Sequence, residues 1–295
     1  MTGRPTHGPL PEGSPELHPG AEAVLDPAHA AEVLAAHSER IVVGGVDRRG
    51  RPIVVKVERN TERHQREVSV LRTLRSGGVP VPEVLDASRD DAVGAWVLVL
   101  ERIDGEPLTG ADDPARWAAV GSGLAQLHSA VADPTGPPFS GHADGTFADH
   151  LQVWTEIERR QGVEEGWMTP AEGERLGILS AAATNRSDDV PQVLLHGDCA
   201  PQHWLFGPAP EPRPVDLGDA GVGDPTYDLM VLTLTAPERL GDVLDGYQAD
   251  DALRDHVAAV VPGYRALRLA GEVSWLREHR FDPSPSLARL SAALA

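Results

Sequence analysis

The sequence predicts an α+β fold in two unequal lobes: a small antiparallel sheet carrying one helix, then a larger, mostly helical lobe. Three observations predict it. The first hundred residues hold three β-rich apolar runs, at 40–46, 51–58 and 95–100, with one helical period between the second and third. After Gly105 the apolar spacing turns helical and stays so, broken chiefly by one short hairpin. The length, 295 residues, exceeds what one small core usually takes.

Residues 1–20, "MTGRPTHGPLPEGSPELHPG", are rich in Pro and Gly and lack an apolar run. They are expected to form a loose arm, neither signal peptide nor anchor. Residues 21–103 form the expected N-lobe. "ERIVVGGVDRRGRPIVVKVE" reads as two antiparallel strands with Asp47–Gly50 at the turn. "ERHQREVSVLRTLRSGG" places Val68, Leu71 and Leu74 at helical spacing, and Gly77 and Gly78 stop the helix. "VPVPEVLDAS" is expected to be an extended connector. "AWVLVLERIDG" reads as a buried strand running into a polar bend at Glu101–Gly105.

Residues 104–295 form the expected C-lobe. "ARWAAVGSGLAQLHSAV" sets Trp117, Val120, Leu124, Leu127 and Val131 on one helical stripe, with His128 beside it as a packing or capping residue. "GTFADHLQVWTEIERR" and "PAEGERLGILSAAAT" read as two further helices. Then comes "LLHGDCAPQHWLF", a Pro-rich turn over Gly207–Pro214, and "VDLGDAG". This is a hairpin flanked by two acids, Asp198 and Asp216, in which Leu205 and Phe206 are expected to be the core anchors. From Asp228 onward the chain reads as helix with Pro/Gly breaks.

Composition narrows the function classes. Net charge is −19 and uneven: residues 1–103 carry 13 Arg/Lys against 15 Asp/Glu, and residues 104–295 carry 13 against 30. An acidic C-terminal half repels phosphate, which argues against nucleic acid as a partner. It suits a cationic small molecule and equally a solubilising surface. No apolar run approaches the roughly 18 residues of a membrane span, so no membrane association is expected. The one cysteine, Cys199, permits no intrachain disulfide, which fits a cytoplasmic location.

Of 26 basic residues, 25 are Arg and one is Lys, Lys56, set among Ile53, Val54, Val55 and Val57. A long cation inside a β-run needs a partner. An ammonium can also meet a phosphate as a point charge. Glu67 follows 11 residues later on the helix. A lone Lys in a small sheet, an acid on the next helix, a bend between lobes and two acids around a hairpin are the parts phosphoryl transfer needs.

"HGDCAPQH" followed by "VDLGDAGVGDPTYDL" resembles the aminoglycoside phosphotransferase superfamily of protein-kinase-like antibiotic kinases. "VVKV", "REVSVLRTLRSGGVPVPEVL", "WVLVLERIDGEPL" and "GLAQLHS" extend the resemblance over roughly residues 35–235. It implies a bilobal protein-kinase-like fold and transfer of the γ-phosphate of ATP or GTP, with Mg²⁺, to an antibiotic hydroxyl. It implies that Asp198 engages that hydroxyl, Asp216 binds the metal, Lys56 contacts the nucleotide phosphates and Glu67 holds Lys56. Glu101, Arg102 and Ile103 would present hinge backbone groups to the purine. Ser38 to Gly45 would cover the phosphates, although "HSERIVVGG" is not a Gly-x-Gly-x-x-Gly loop. Asp224 and Asp228 match the family's tail, as helix cap, loop brace or chemical groups.

The main departure is His203, where the family usually has Asn and its macrolide phosphotransferase branch has His. Three readings stay open: His203 is a metal ligand beside Asp216, it orients Asp198, or it marks a nucleotide-binding protein without turnover. The resemblance places the acceptor on the helical lobe, with Asp219, Glu272, Trp275 and Glu278 as candidate contacts, together with Trp154 and Trp167. Macrolides, aminoglycosides, peptide antibiotics and capuramycin-type nucleosides are the expected acceptors. A metabolite kinase acting on choline or a sugar is the alternative enzyme.

Overall fold

The computed structural model describes residues 19–37, 40–92, 94–132, 134, 145–209 and 211–295. Most of the N-terminal arm and Ser38 lie outside the described residues.

After a single helical turn, α1 (Pro19–Glu22), the N-lobe is a five-stranded antiparallel sheet. Its strands are β1 (Glu32–His37), β2 (Arg40–Val46), β3 (Pro52–Glu58), β4 (Val84–Asp90) and β5 (Ala95–Glu101), in the order β1-β2-β3-β5-β4. The β2–β3 turn forms where expected: the Asp47 carboxylate accepts from the Arg49 and Arg51 amides, and Gly50 takes φ +80. The connector "VPVPEVLDAS" is in part a strand, β4, paired with β5 from Val84 to Asp90. Its residues are half-buried or exposed because it lies at the sheet edge, so its apolar signal is weak. The other edge strand, β1, escaped the sequence reading for the same reason.

Helix α2 (Thr61–Ser76) is capped by the Asn60 side chain and stopped at Gly77–Gly78, with Gly78 at φ +84. It buries His64, Glu67, Val70, Leu71 and Leu74. Val70, Leu71 and Leu74 share one core with Leu98 and Leu100 of β5 and with Leu127, Leu194 and Leu217 of the helical lobe. Apolar packing thus joins the Glu67 helix to the segments that carry Asp198 and Asp216.

In the C-lobe, β6 (Glu106–Pro107) leads to α3 (Pro114–Ser129), α4 (Phe147–Glu164) and α5 (Pro170–Thr184). Four short strands follow: β7 (Val193–Leu195), β8 (Trp204–Phe206), β9 (Arg213–Pro214) and β10 (Gly221–Gly223). Helices α6 (Pro225–Leu232), α7 (Leu240–Tyr247), α8 (Asp251–Glu278) and α9 (Ser284–Leu294) complete the lobe. The expected hairpin is β8–β9, with Trp204 opposite Pro214. Its main anchor is Trp204, fully buried; Phe206, on the same strand face, is half-buried and packs against the same core, and Leu205 is half-buried. The pleat sends Trp204 inward against Gly123 of α3, where its indole N–H donates to Cys199 Sγ. Among the described residues no helix is long and apolar enough to cross a membrane.

Candidate active site

The site begins where β7 ends. His196, Gly197 and Asp198 turn sharply, with Gly197 at φ +84 and so close to Asp219 that a Cβ there would lie 1.9 Å from its carbonyl oxygen. Asp228 on α6 braces this turn. Its buried carboxylate accepts from the His196 amide at 2.6 Å, the Gly197 amide at 3.1 Å and His128 Nε2 at 3.0 Å. His128 in turn meets the Tyr247 hydroxyl through Nδ1 at 2.8 Å, so it packs and braces as expected. Asp224 caps α6 through the Thr226 amide and also accepts from His256 Nε2 and the Tyr264 hydroxyl. The two tail acids are therefore cap and brace.

A 3₁₀ turn over Pro201–His203 folds His203 back onto the loop that carries Asp198. His203 Nδ1 lies 2.7 Å from the Asp198 carbonyl oxygen. A carbonyl only accepts, so Nδ1 carries the proton and, in the neutral ring, Nε2 keeps its lone pair. That Nε2 lies 4.0 Å from Asp216 Oδ2, while Nδ1 lies 3.7 Å from Asp198 Oδ2. His196 stacks on the His203 ring at 5.9 Å and donates through Nε2 to the Val215 carbonyl, tying the Asp198 loop to the segment that carries Asp216.

Asp216 holds φ +62, a left-handed conformation uncommon outside glycine. Two groups hold its carboxylate. Lys56 Nζ reaches Oδ1 at 2.8 Å, and the Arg40 guanidinium reaches both oxygens at 3.2 and 3.1 Å. Lys56 Nζ also donates to Glu67 Oε1 at 2.5 Å. Burial works to raise the Asp216 pKa, but the Lys56 and Arg40 charges outweigh it and hold the carboxyl well below its usual range. Burial likewise works against a charged Lys56, and Asp216 and Glu67 reverse the balance. Asp198 is bound by Arg268 of α8, whose Nη2 lies 2.7 Å from Oδ1. Burial favours a neutral Asp198, yet Arg268, and after it His203, keep its pKa below the ordinary value.

The fold thus gathers Lys56, Glu67, Asp198, His203 and Asp216 into one site. At the hinge, the Glu101 amide already donates to the Glu83 carbonyl and its carboxylate is forked by Arg213. The Arg102 amide donates to Pro52 and its side chain to Glu32. Among the described residues the Ile103 amide has no acceptor. Asp219 is paired with Arg63 of α2 at 2.7 Å. Glu272 lies one turn beyond Arg268 on α8 and bonds Ser286 and Arg289. Trp275 continues that face, exposed, stacked on His279 and Phe281, and Glu278 is exposed near the helix end. Trp154 packs over Gly271 and donates to Glu158, and Trp167 packs against the C-lobe core. Sequence reasoning missed three arginines, Arg40, Arg63 and Arg268. In a chain with 25 of them no local signal distinguishes these three.

Nε2 of His203 faces Asp216 Oδ2 at 4.0 Å, and Arg40 Nη2 bonds the same oxygen at 3.1 Å. Among the described residues no three His, Cys, Asp or Glu side chains form a metal cluster. The carboxylate is the oxygen donor that Mg²⁺ takes, and the imidazole nitrogen is a softer donor.

The chain matches the model of the phosphotransferase enzyme family, APH, over residues 34–269. A search of curated proteins finds no significant match. Among solved structures, an amicoumacin kinase bound to AMP-PNP and Ca²⁺ is similar with a TM-score of 0.66 at 19% identity, over 92% of this chain and 89% of that one. The GDP complex of aminoglycoside 2'-phosphotransferase-IIIa gives 0.68 at 16%, over 90% and 92%. A mutant of aminoglycoside phosphotransferase APH(4)-Ia with ADP and hygromycin B gives 0.66 at 17%, over 90% and 93%.

Proposed function

The chain belongs to the APH phosphotransferase enzyme family, and on that premise we propose that it moves the γ-phosphate of ATP or GTP to a hydroxyl of an antibiotic. The observation that carries the reading is Lys56, held by Glu67 at 2.5 Å and by Asp216 at 2.8 Å, beside a catalytic loop that presents Asp198. Lys56 binds the donor phosphates, and Glu67 fixes its position. Ile103 donates its amide to the purine. Asp216 and His203 Nε2 would hold Mg²⁺, which would supply positive charge to the phosphate oxygens.

Asp198, ionised at neutral pH, accepts the proton of the acceptor hydroxyl. The hydroxyl oxygen forms its bond to the γ-phosphorus while the bond from that phosphorus to the β–γ bridging oxygen breaks, and the nucleoside diphosphate leaves. His203 donates to the Asp198 backbone and so fixes the loop that aims the carboxylate. The ligand and orienting readings of His203 are therefore compatible, one for each ring nitrogen. The intact set Lys56, Glu67, Asp198 and Asp216 speaks against a protein without turnover. The acceptor lies along the α8 face that runs from Arg268 past Glu272 to Trp275, and Asp219, locked by Arg63, contributes at the lobe junction. An antibiotic acceptor is supported by the shared fold, whose relatives are bound to hygromycin B and amicoumacin. The reaction belongs in the cytoplasm, where nucleoside triphosphates are.

The test is a transfer screen on the purified full chain, with Mg²⁺ and each of ATP and GTP. Acceptors are macrolide, aminoglycoside, peptide and capuramycin-type antibiotics, with choline and sugars as the metabolite arm, and mass spectrometry detects phosphorylated product. An antibiotic product supports the reading, and a product from choline or a sugar replaces it with a metabolite kinase. Nucleotide binding with no transfer to any acceptor would replace it with a nucleotide-binding protein.

A further inference from the structure

We infer that Arg40 is a second phosphate-binding cation of the donor site, supplying with a guanidinium fork part of what a glycine-rich loop supplies with backbone amides. The inference rests on the phosphotransferase reading and assigns a residue that the sequence pattern does not mark.

The placement follows from register. Val42 pairs with Lys56 and Arg40 with Glu58, so Arg40 sits two residues along β2 on the same sheet face as Lys56. Its side chain is only 12% exposed. Both terminal nitrogens fork the two Asp216 oxygens, and Nε is buried with no acceptor among the described residues. The chain has no Gly-x-Gly-x-x-Gly where β1 turns into β2, so the amides that would cradle phosphates are not encoded there.

Asp216 already has Lys56 at 2.8 Å, and Arg63 Nη2 stands 3.9 Å from the same oxygen. Lys56 is shared with Glu67 and Arg63 is paired with Asp219, so among the described residues Asp216 is the one carboxylate that Arg40 bonds, and the Arg40 fork is free to pass to a larger anion if Asp216 turns to a cation. A polyphosphate is such an anion. Its paired oxygens match the guanidinium fork that here closes on a carboxylate. With a divalent cation bound, Asp216 would turn to it and the Arg40 fork would pass to the phosphates.

The experiment is calorimetric binding of ATP, ADP and AMP, and of the guanine series, to the full chain with and without Mg²⁺ and without acceptor. Wild type, Arg40→Gln and Arg40→Lys are compared, with thermal melts to confirm folding. Loss of a charge-assisted fork predicts about ten- to hundredfold weaker triphosphate binding in Arg40→Gln. Monophosphate binding should stay within about twofold, and Arg40→Lys, which keeps charge without the fork, should lie between. Triphosphate affinity within about twofold of wild type in a folded Arg40→Gln overturns the inference. So does an equal loss for mono- and triphosphate in both variants. If wild type binds no nucleotide, the phosphotransferase reading falls and takes this inference with it. A nucleotide-binding wild type with unaffected variants removes only the Arg40 assignment.

Discussion

Replacing Asp228 with Asn tests whether the catalytic loop is held from α6. The Asp228 carboxylate accepts three bonds in a buried setting, from the His196 amide, the Gly197 amide and His128 Nε2. Asn keeps the shape, but one of its two terminal positions becomes an NH₂ that faces N–H donors. The remaining oxygen can serve His196 and His128, which share Oδ2, while the Gly197 amide is left facing a donor. A charge-assisted bond contributes roughly 1.5–3 kcal/mol and an unsatisfied buried group costs roughly 1–3 kcal/mol, so the change should destabilise by about 2–5 kcal/mol. At about 2–4 °C per kcal/mol for a chain of this size class, Tm should fall by about 5–15 °C. Because Gly197 precedes Asp198 directly, kcat should drop by about tenfold or more. The KM for the nucleotide should hold, because Lys56, Glu67 and Ile103 are untouched. Thermal melts paired with steady-state kinetics measure both. A Tm within about 2 °C of wild type with unchanged kcat would refute the brace.

Four further outcomes are expected. Arg268→Gln removes the main charge that holds the Asp198 pKa down, so the acidic limb of kcat/KM should move to higher pH, and an unmoved pH profile would count against it. His203→Asn should shift metal preference toward Mg²⁺ and away from Mn²⁺ and Co²⁺, whereas metal titrations identical to wild type would leave His203 only its orienting role. Trp204→Ala empties a fully buried site and should cost about 3–5 kcal/mol in denaturant unfolding; a cost below about 1 kcal/mol would show that the hairpin is anchored elsewhere. Glu58 is pushed up to about 7, first by burial and then by the nearby Glu67 charge. A raised folded-state pKa in a carboxyl penalises the fold progressively as pH rises from the unfolded value through about 7. Glu58→Gln should therefore gain Tm relative to wild type between about pH 5 and 8, and parallel Tm curves would contradict this.

The elements that sequence reasoning located carry strong local periods. The α3 stripe of Trp117, Val120, Leu124 and Leu127 is fully buried, and the β2–β3 hairpin turns where Asp47 and Gly50 require. Edge strands β1 and β4 were weak signals because one side of each lacks a partner and their faces are half-buried. Hairpin anchoring was only partly legible: Trp204, Leu205 and Phe206 are all apolar, the pleat puts Trp204 and Phe206 on one face, and only packing makes Trp204 the one that is fully buried.

The residues of the site divide in the same way. The sequence by itself determined the chemical identity and order of Lys56, Glu67, Asp198, His203 and Asp216, because a lone Lys, a Gly-bearing turn and a hairpin between acids are local facts. Only the tertiary structure decided which cation meets which acid. Arg40 and Asp216 are 176 positions apart, Lys56 and Asp216 160, and Arg268 and Asp198 70. Charge pairing acts over a few ångströms, so it depends on which surfaces the core brings together. Among 25 chemically identical arginines, packing alone selects the two that hold the acids of the site.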